Sequence, residues 1–191
     1  MIDCDEKKEK KPGPDISEKL LQTRQIVLSG EINKELAEKI VKQLFLMEAE
    51  SHEPIYIFID SPGGDADSGF AVFDMIRFVD APVYTIGMGL VASAASLILL
   101  AADKDKRLAL PNSHFLIHQP LSGIKGVATA IEIHAQEVEK LRKKINELIV
   151  EETGKSLEEV EKHTDRDYWL NAEEAKDYGL VDRIIESRKD L

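Results

Sequence analysis

The chain alternates repeatedly between short, predominantly apolar runs and amphipathic helical patterns. Residues 55–59 and 83–86 have the length and apolar character of strands that are buried on both faces. Between them, large apolar side chains recur at helical spacing: Phe70, Phe73, Ile76 and Val79. Such strand–helix alternation predicts a mainly parallel sheet with helical crossovers, and therefore an α/β fold.

The other segments extend this pattern. A strand is predicted at 25–28 and a helix over 33–50, where apolar residues again recur every three to four positions. The remaining predicted elements are a short helix at 16–21, a buried helix within 91–102, strands at 107–110 and 115–117, a short helix from Asn171 to about Gly179, and a final strand after Asp182. Neither an internal repeat nor a second domain is visible, so residues 16–191 are predicted to form one domain.

The first 15 residues differ from the rest of the chain. They are mostly charged and include Pro12-Gly13-Pro14, so they are predicted to be mobile because they offer little apolar surface to bury. They lack the apolar core of a signal peptide, and no run in the sequence has the charge-free length of a membrane span. Cys4 is the single cysteine, which excludes an internal disulfide and fits a reducing compartment. These features favour a cytoplasmic protein.

The charge balance disfavours one class of function, nucleic-acid binding. The 36 acidic and 25 basic residues give a net charge of −11, whereas a nucleic-acid-binding protein normally presents a basic face. The sequence also lacks the glycine-rich lysine loop that cradles nucleotide phosphates. Neither a nucleic acid nor a bound nucleotide is therefore expected.

Residues 127–150 form a long helical pattern with its own character. Apolar side chains and one histidine recur four and three residues apart, which is a heptad-like spacing: Val127, Ile131, His134, Val138, Leu141, Ile145 and Leu148. A helix of this length spans about 37 Å, more than is needed to cover one small sheet. Either it is a helix that faces the core throughout, or it projects and packs against another subunit.

Three segments together carry the parts that nucleophilic acyl transfer requires. Ser61-Pro62-Gly63-Gly64 follows an apolar strand and supplies a glycine turn with free backbone N–H groups. Ser93 precedes a buried apolar run, at a predicted helix start. His118 stands at a predicted strand end, before Gln119-Pro120.

Residue types alone leave these assignments open. Ser93 and Ser96 both fit as small residues that allow close packing. Five histidines compete for the role of base, and most isolated histidines are structural: His52, His114, His118, His134 and His163. An orienting carboxylate is available at Asp167 among many other acidic residues.

The residues and spacings from 55 to 185 resemble the proteolytic subunit of the Clp protease (ClpP), a self-compartmentalised serine peptidase. The resemblance rests on Ser-Pro-Gly-Gly at 61–64, Gly-x-x-Ala-Ser at 89–93, Leu-Pro-Asn-Ser with Ile-His-Gln-Pro at 110–120, and Asp-Arg-Asp at 165–167. It implies that Ser93 is the nucleophile, His118 the base and Asp167 the acid that orients it, with Ser96 left to packing. It also implies that the backbone N–H groups of Gly64 and Ala94 form the oxyanion hole.

The same resemblance implies an α/β spiral of βαβ units, of the ClpP and crotonase type, with a projecting long helix. It implies a serine endopeptidase that forms heptameric rings stacked as a tetradecamer, with Asp165 and Arg166 in contacts between rings. A separate AAA+ ATPase unfoldase would deliver polypeptides to be cut into short peptides. The peptidase itself is expected to need neither a cofactor nor a metal.

Some residues depart from the family pattern. Ala94 stands where methionine is usual, Leu90-Val91 replaces small or polar residues, and Asp65-Ala66-Asp67 follows the double glycine where uncharged residues are usual. The axial-loop segment of the family is not recognisable upstream of Leu20. Two alternatives therefore stand beside the peptidase: a non-catalytic or conditionally active ring subunit that needs a paralogue, and a crotonase-like enzyme acting on acyl-CoA.

Overall fold

The computed structural model describes residues 16–191, so the predicted mobile segment at 1–15 lies outside the described residues. This part of the chain contains seven α-helices and seven β-strands. The helices are α1 (Ile16–Gln22), α2 (Lys34–Glu50), α3 (Ala66–Phe78), α4 (Ala94–Leu99), α5 (Ala128–Thr153), α6 (Leu157–Thr164) and α7 (Ala172–Tyr178). The strands are β1 (Gln25–Ser29), β2 (Ile55–Ser61), β3 (Val83–Ala92), β4 (Arg107–Ala109), β5 (His114–Ile117), β6 (Tyr168–Asn171) and β7 (Arg183–Ile184).

The seven strands form one sheet, which confirms the predicted α/β fold. Five strands follow the order β1-β2-β3-β4-β7, and all of their pairings are parallel. β5 pairs parallel with the second half of β3 and antiparallel with β6. The long connections that parallel pairing requires are provided by the helices between successive strands.

The main core lies between the sheet and the helices. β2 alternates fully buried Ile55, Ile57 and Ile59 with half-buried residues. The prediction of strands buried on both faces is therefore only partly right, because the second face of the sheet carries a smaller cluster. That cluster is built on Ile86, Leu108 and Ile185, with partly buried Tyr56, Phe58, Tyr84, Leu110 and Leu191 around it.

The helices over the core begin where the sequence predicts. The Asn33 side chain accepts a hydrogen bond from the N–H of Leu36 at 2.9 Å, and Asp65 accepts one from Ser68 at 2.8 Å. These caps satisfy N–H groups that a helix start leaves free. In α2 the buried residues are Ala37, Ile40, Leu44 and Met47, which confirms the helical spacing read from the sequence.

β3 is longer than predicted and changes neighbours along its length. Its first half pairs with β4 through residues 85–87, and its second half pairs with β5 through residues 90–92. The N–H of Leu90, where the second pairing begins, donates to Oδ1 of Asp60 at 3.0 Å. The predicted helix start at Ser93 is confirmed, since Ser93 occupies the N-cap position of α4, whereas Val91 and Ala92 at the start of the apolar run 91–102 belong to the strand.

α5 leaves the core partway along its length. Its buried residues, Ile145, Asn146, Ile149 and Thr153, all lie in the C-terminal half. Val127, Ile131 and Ile133 at the other end are exposed. The predicted long projecting helix is thus present, and its stripe faces the core only at one end. Within residues 16–191, no helix combines the length and apolar character needed to cross a bilayer.

Candidate active site

Ser93, His118 and Gly64 line one cleft of about 820 Å³ between the carboxyl ends of β2, β3 and β5 and the middle part of α5. Parallel strands bring their carboxyl ends to the same edge of a sheet, where binding sites of α/β proteins form. The cleft has an apolar side made by Phe70, Leu97, Leu116, Leu141 and Ile145. Ala94 also lines it, whereas Asp167 does not.

Ser93 occupies the sharp turn that joins β3 to α4. Its φ of 56° and ψ of −122° are unusual for a residue with a side chain, and such conformations cost about 1–3 kcal/mol and cluster at functional sites. The N–H of Ser93 donates to the carbonyl of Leu116 on β5 at 2.9 Å. A strand-to-helix turn of this kind exposes a hydroxyl above the sheet edge, as in the nucleophile elbow of α/β-hydrolases.

The glycine turn packs directly against this serine. A Cβ placed on Gly63 would lie 2.7 Å from Cβ of Ser93 and 2.6 Å from the carbonyl oxygen of Ala92. A Cβ on Gly64 would lie 2.2 Å from the carbonyl oxygen of Ile32, and both glycines have positive φ. Only glycine fits at these two positions.

The turn leaves backbone donors free beside the serine. The carbonyl of Gly63 and the N–H of Asp65 both bond to Ile32 at 2.8 Å, and these bonds flank Gly64 on either side. Within residues 16–191 the N–H groups of Gly64 and Ala94 have no hydrogen-bond acceptor. Two unpaired donors on the wall of one cleft can stabilise a negative charge that develops on a substrate oxygen.

His118 and Asp167 meet at the end of the β5–β6 ladder. These strands are antiparallel, and Ile117 pairs with Tyr168, so the residues just beyond them face each other. Nδ1 of His118 lies 3.3 Å from Oδ1 of Asp167; the histidine side chain is 11% exposed and the aspartate 61%. Nε2 of His118 is buried and has no partner among the described residues. A buried nitrogen without a partner is uncommon and is free here to bond a hydroxyl in the cleft.

Gln119 joins the chain segments that carry His118 and Asp167, a role the sequence did not reveal. Its N–H donates to the carbonyl of Thr164 at 2.6 Å, and its side-chain amide donates to the carbonyl of Asp165 at 2.7 Å. Thr164 is itself buried and bonds to Asn146 of α5 at 2.9 Å. Gln119 follows the histidine directly, and that adjacency was the one sequence signal that could have pointed to it.

Ser96 has a different environment from Ser93. Its hydroxyl is buried and lies 3.0 Å from the carbonyl of Leu116 and 3.3 Å from that of Val91. It does not line the cleft. The sequence prediction left Ser96 to packing alone, but its hydroxyl also links the end of β3 to β5. Because its proton bonds a main-chain oxygen, this serine is a poor nucleophile candidate.

The other histidines lie apart from the contact between His118 and Asp167. His52 and His114 are exposed. Nε2 of His134 lies 2.6 Å from the hydroxyl of Ser122, farther out along the cleft wall. His163 stacks on Tyr168 behind the loop that carries Asp167.

Charged residues surround the cleft and the adjacent loop. Asp67, Glu137, Lys140 and Lys144 line the cleft, and Nζ of Lys144 lies 3.8 Å from the centre of the Phe70 ring. Asp165 and Arg166 are exposed, with the arginine side chain at 93%, and their charged groups are 3.9 Å apart. These two side chains are therefore open to contact from outside the chain.

Comparison with known proteins assigns the family. The model of the Clp protease family matches residues 7–188. The chain is 68% identical over 189 residues to the ATP-dependent Clp protease proteolytic subunit 2 of Treponema denticola, covering 98% of this chain and 94% of that protein. Its identity to the protein of the same name in Treponema pallidum is 60% over 194 residues, covering 98% of each.

A solved structure leads to the same family. A ClpP1 mutant from Listeria monocytogenes matches the fold with a TM-score of 0.85 at 48% identity, covering 92% of this chain and 98% of that one. Fold, sequence and family model therefore agree, and the chain belongs to the Clp protease family.

Proposed function

We propose that this chain is a serine endopeptidase, the proteolytic subunit of an ATP-dependent Clp protease. The observation that carries the proposal is the cleft: Ser93 on a strained turn, His118 with an unpaired Nε2, and the free N–H groups of Gly64 and Ala94 line it together. These are the groups that attack a carbonyl, move a proton and stabilise the oxyanion. The family assignment supports the peptidase and gives no support to the acyl-CoA alternative.

In the proposed mechanism, Oγ of Ser93 attacks the peptide carbonyl while Nε2 of His118 takes its proton. The oxyanion that forms accepts hydrogen bonds from Gly64 and Ala94. His118 then gives the proton to the leaving amine, and a water repeats the sequence on the acyl-enzyme. Asp167 holds the imidazole orientation through Nδ1 and stabilises the imidazolium. Ala94 contributes a backbone donor, so the side chain at this position has little bearing on the chemistry.

We also propose an assembly of two heptameric rings, about 300 kDa for fourteen chains of 21.4 kDa. Residues 16–191 act in it as one peptidase domain, supported by a single sheet and one main core. The apolar residues that this domain leaves exposed over residues 121–133 and on β6 support burial against another copy: Leu121, Ile124, Val127, Ile131, Ile133 and Trp169. Asp165 and Arg166 directly precede Asp167 in the sequence and are proposed to form contacts between rings.

Unfolding of protein substrates falls to a separate AAA+ ATPase, because the sequence has no phosphate-binding loop of its own. A paralogous subunit sharing the rings is the further partner we propose, since the family's axial loop is not recognisable upstream of Leu20. A cytoplasmic location stays a prediction, based on the sequence with its single Cys4.

The test is the covalent labelling of Ser93. Ser93→Ala is expected to abolish labelling by a fluorophosphonate and to lower the kcat for a fluorogenic peptide by about 10⁶-fold. Ser96→Ala is the matched control, one helical turn away, and should retain the label. Assembly of both variants is checked by light scattering. Labelling of Ser96 in place of Ser93 would overturn the assignment.

The same assay addresses the alternative of a subunit that is inactive alone. Peptide hydrolysis by the purified chain supports the peptidase. Hydrolysis that appears only after a paralogous subunit is added, and that survives Ser93→Ala in this chain, would show that the partner supplies the chemistry.

A further inference from the structure

The carboxylate of Asp167 is held loosely by its own contacts. Its side chain is 61% exposed, and its contact with His118 spans 3.3 Å. Within residues 16–191, no other side chain bonds this carboxylate. Its position beside the histidine therefore depends on the backbone of the loop at 165–167, between α6 and β6.

Two aromatic rings, one at each end of this loop, stack on each other. His163 lies in the last turn of α6 and Tyr168 is the first residue of β6. Their ring centres are 4.1 Å apart and the planes differ by 9°, a face-to-face contact that the flanking backbone must bring together. The two residues bracket residues 164–167, so the stack fixes the span that Asp167 occupies. Tyr168 follows Asp167 directly.

A third ring anchors the stack to the core. The hydroxyl of Tyr178, a buried residue of α7, lies 3.3 Å from Nδ1 of His163. Burial, with a smaller effect from Glu159, raises the pKa of Tyr178, so its hydroxyl stays protonated and can donate to this nitrogen. The Tyr178 ring also lies 5.8 Å from that of Tyr168. The stack is thus tied to an element other than the two that it joins.

We propose that the stacked rings of His163 and Tyr168, which we call the aromatic clasp, position Asp167 beside His118. The proposal rests on the proposed role of Asp167 as the orienting acid. Neither ring lines the cleft, so both are positioning residues that act on the reaction through the carboxylate. Gln119 holds the start of the same loop through Thr164 and Asp165, and the clasp holds its end.

The first experiment removes one ring. Tyr168→Ala is expected to lower the kcat for a fluorogenic peptide by about 10- to 100-fold, the effect of a misplaced catalytic group, and to leave KM nearly unchanged. Tyr168→Phe keeps the ring and should restore kcat to near the original value. A wild-type kcat in Tyr168→Ala would mean that the β5–β6 pairing alone places the acid, and would overturn the clasp.

The second experiment is a double-mutant cycle with Asp167→Ala, which separates positioning from general destabilisation. The rate constant for labelling of Ser93 by excess fluorophosphonate is the readout, since it can be followed in slow variants. If the clasp acts through Asp167, Tyr168→Ala should change this rate less than about twofold once the carboxylate is absent. An equal loss in both backgrounds would overturn the proposal, as would a Tyr168→Phe variant as slow as Tyr168→Ala.

Two controls separate a loss of positioning from misfolding and from a wrong role for Asp167. Thermal unfolding and light scattering establish that each variant is folded and assembled, and His163→Ala takes the place of Tyr168→Ala in the cycle if the latter does not fold. If Asp167→Ala retains the full rate, the proposed role of Asp167 fails, and the clasp fails with it. If Asp167→Ala is slow but Tyr168→Ala and His163→Ala are as fast as the wild type, only the clasp fails.

Discussion

The two halves of α5 share one apolar spacing and meet different surroundings. In the C-terminal half Ile145 and Ile149 are buried in the main core. In the N-terminal half Val127 is 74% exposed and Ile131 43%. The sequence left open whether this helix faces the core or projects, and it does one in each half. A regular stripe therefore defines a face of a helix but does not specify what covers it.

The buried half also carries a charged anchor. The carboxylate of Glu152 pairs with the guanidinium groups of Arg77 on α3 and Arg107 on β4. Arg107 is buried and donates as well to the carbonyl of Ala102 at 2.8 Å. Burial lowers the pKa of Arg107, and the neighbouring Glu152 opposes that effect. No comparable anchor ties the exposed half to the rest of residues 16–191.

The largest effect is expected where an unpaired charge enters the buried half. Ile149→Asp should cost more than about 5 kcal/mol in the free energy of unfolding, because lost packing adds to a buried carboxylate. That is comparable to the whole stability of many domains, so the chain should not fold. Urea denaturation followed by circular dichroism measures this. Ile133→Asp, on the exposed half, is the control and should fold normally. An equal loss of stability in the two variants would contradict the difference between the two halves of α5.

A smaller effect is expected from removing the anchor. Glu152→Ala leaves the buried Arg107 without its counter-charge, and breaking a buried pair in this way costs about 3–5 kcal/mol. The loss should appear as a lower denaturation midpoint at an unchanged slope. Glu139→Ala removes an exposed partner of Arg142 on the same helix and should cost less than about 1 kcal/mol. If Glu152→Ala lowers the free energy of unfolding no more than Glu139→Ala does, then main-chain carbonyls alone satisfy Arg77 and Arg107.

The smallest effect on the stability of the chain is expected in the exposed half. Ile131→Glu should change the free energy of unfolding by less than about 0.5 kcal/mol, as surface substitutions do. It should nevertheless reduce the particle mass in light scattering, because it places a charge on the face that another copy is proposed to cover. A wild-type particle of about 300 kDa, fourteen times the chain mass of 21.4 kDa, would argue against that face as the contact. Ile145→Glu, in contrast, should lose both fold and assembly.

Much of the fold could be predicted from local pattern. The strands at 55–59 and 83–86 follow from short apolar runs. The helix over 33–50 follows from periodicity, because side-chain spacing reports directly which face is buried. β6 was missed, since four residues of mixed polarity pair with a single neighbour at a sheet edge. The end of β3 was misplaced: the predicted strand stopped at residue 86, but the strand continues to Ala92, because an apolar run reads alike as a buried strand or a buried helix. What separates them at Ser93 is a backbone turn with positive φ.

The candidate site also has parts that the sequence predicts and parts that it does not. Glycine and serine types, with the family resemblance, were enough to nominate Gly64, Ser93 and His118, because the required chemistry restricts which residues can act. Sequence could not show how the pieces are held. Gln119 reaches Asp165 across a separation of 46 residues, and Ser96 reaches Leu116 across 20. Such bonds depend on the register between strands, which no local pattern encodes.

The sequence by itself determined the alternation of strands and helices, the glycine turn and the kinds of groups available for catalysis. These are local properties, set by propensity, by periodicity and by where only glycine fits. The tertiary structure decided which ends of the strands meet, that one half of α5 is buried and the other is not, and that His118 and Asp167 lie 3.3 Å apart. Those outcomes arise from long-range packing and strand pairing, where free energy is shared among residues far apart in the chain.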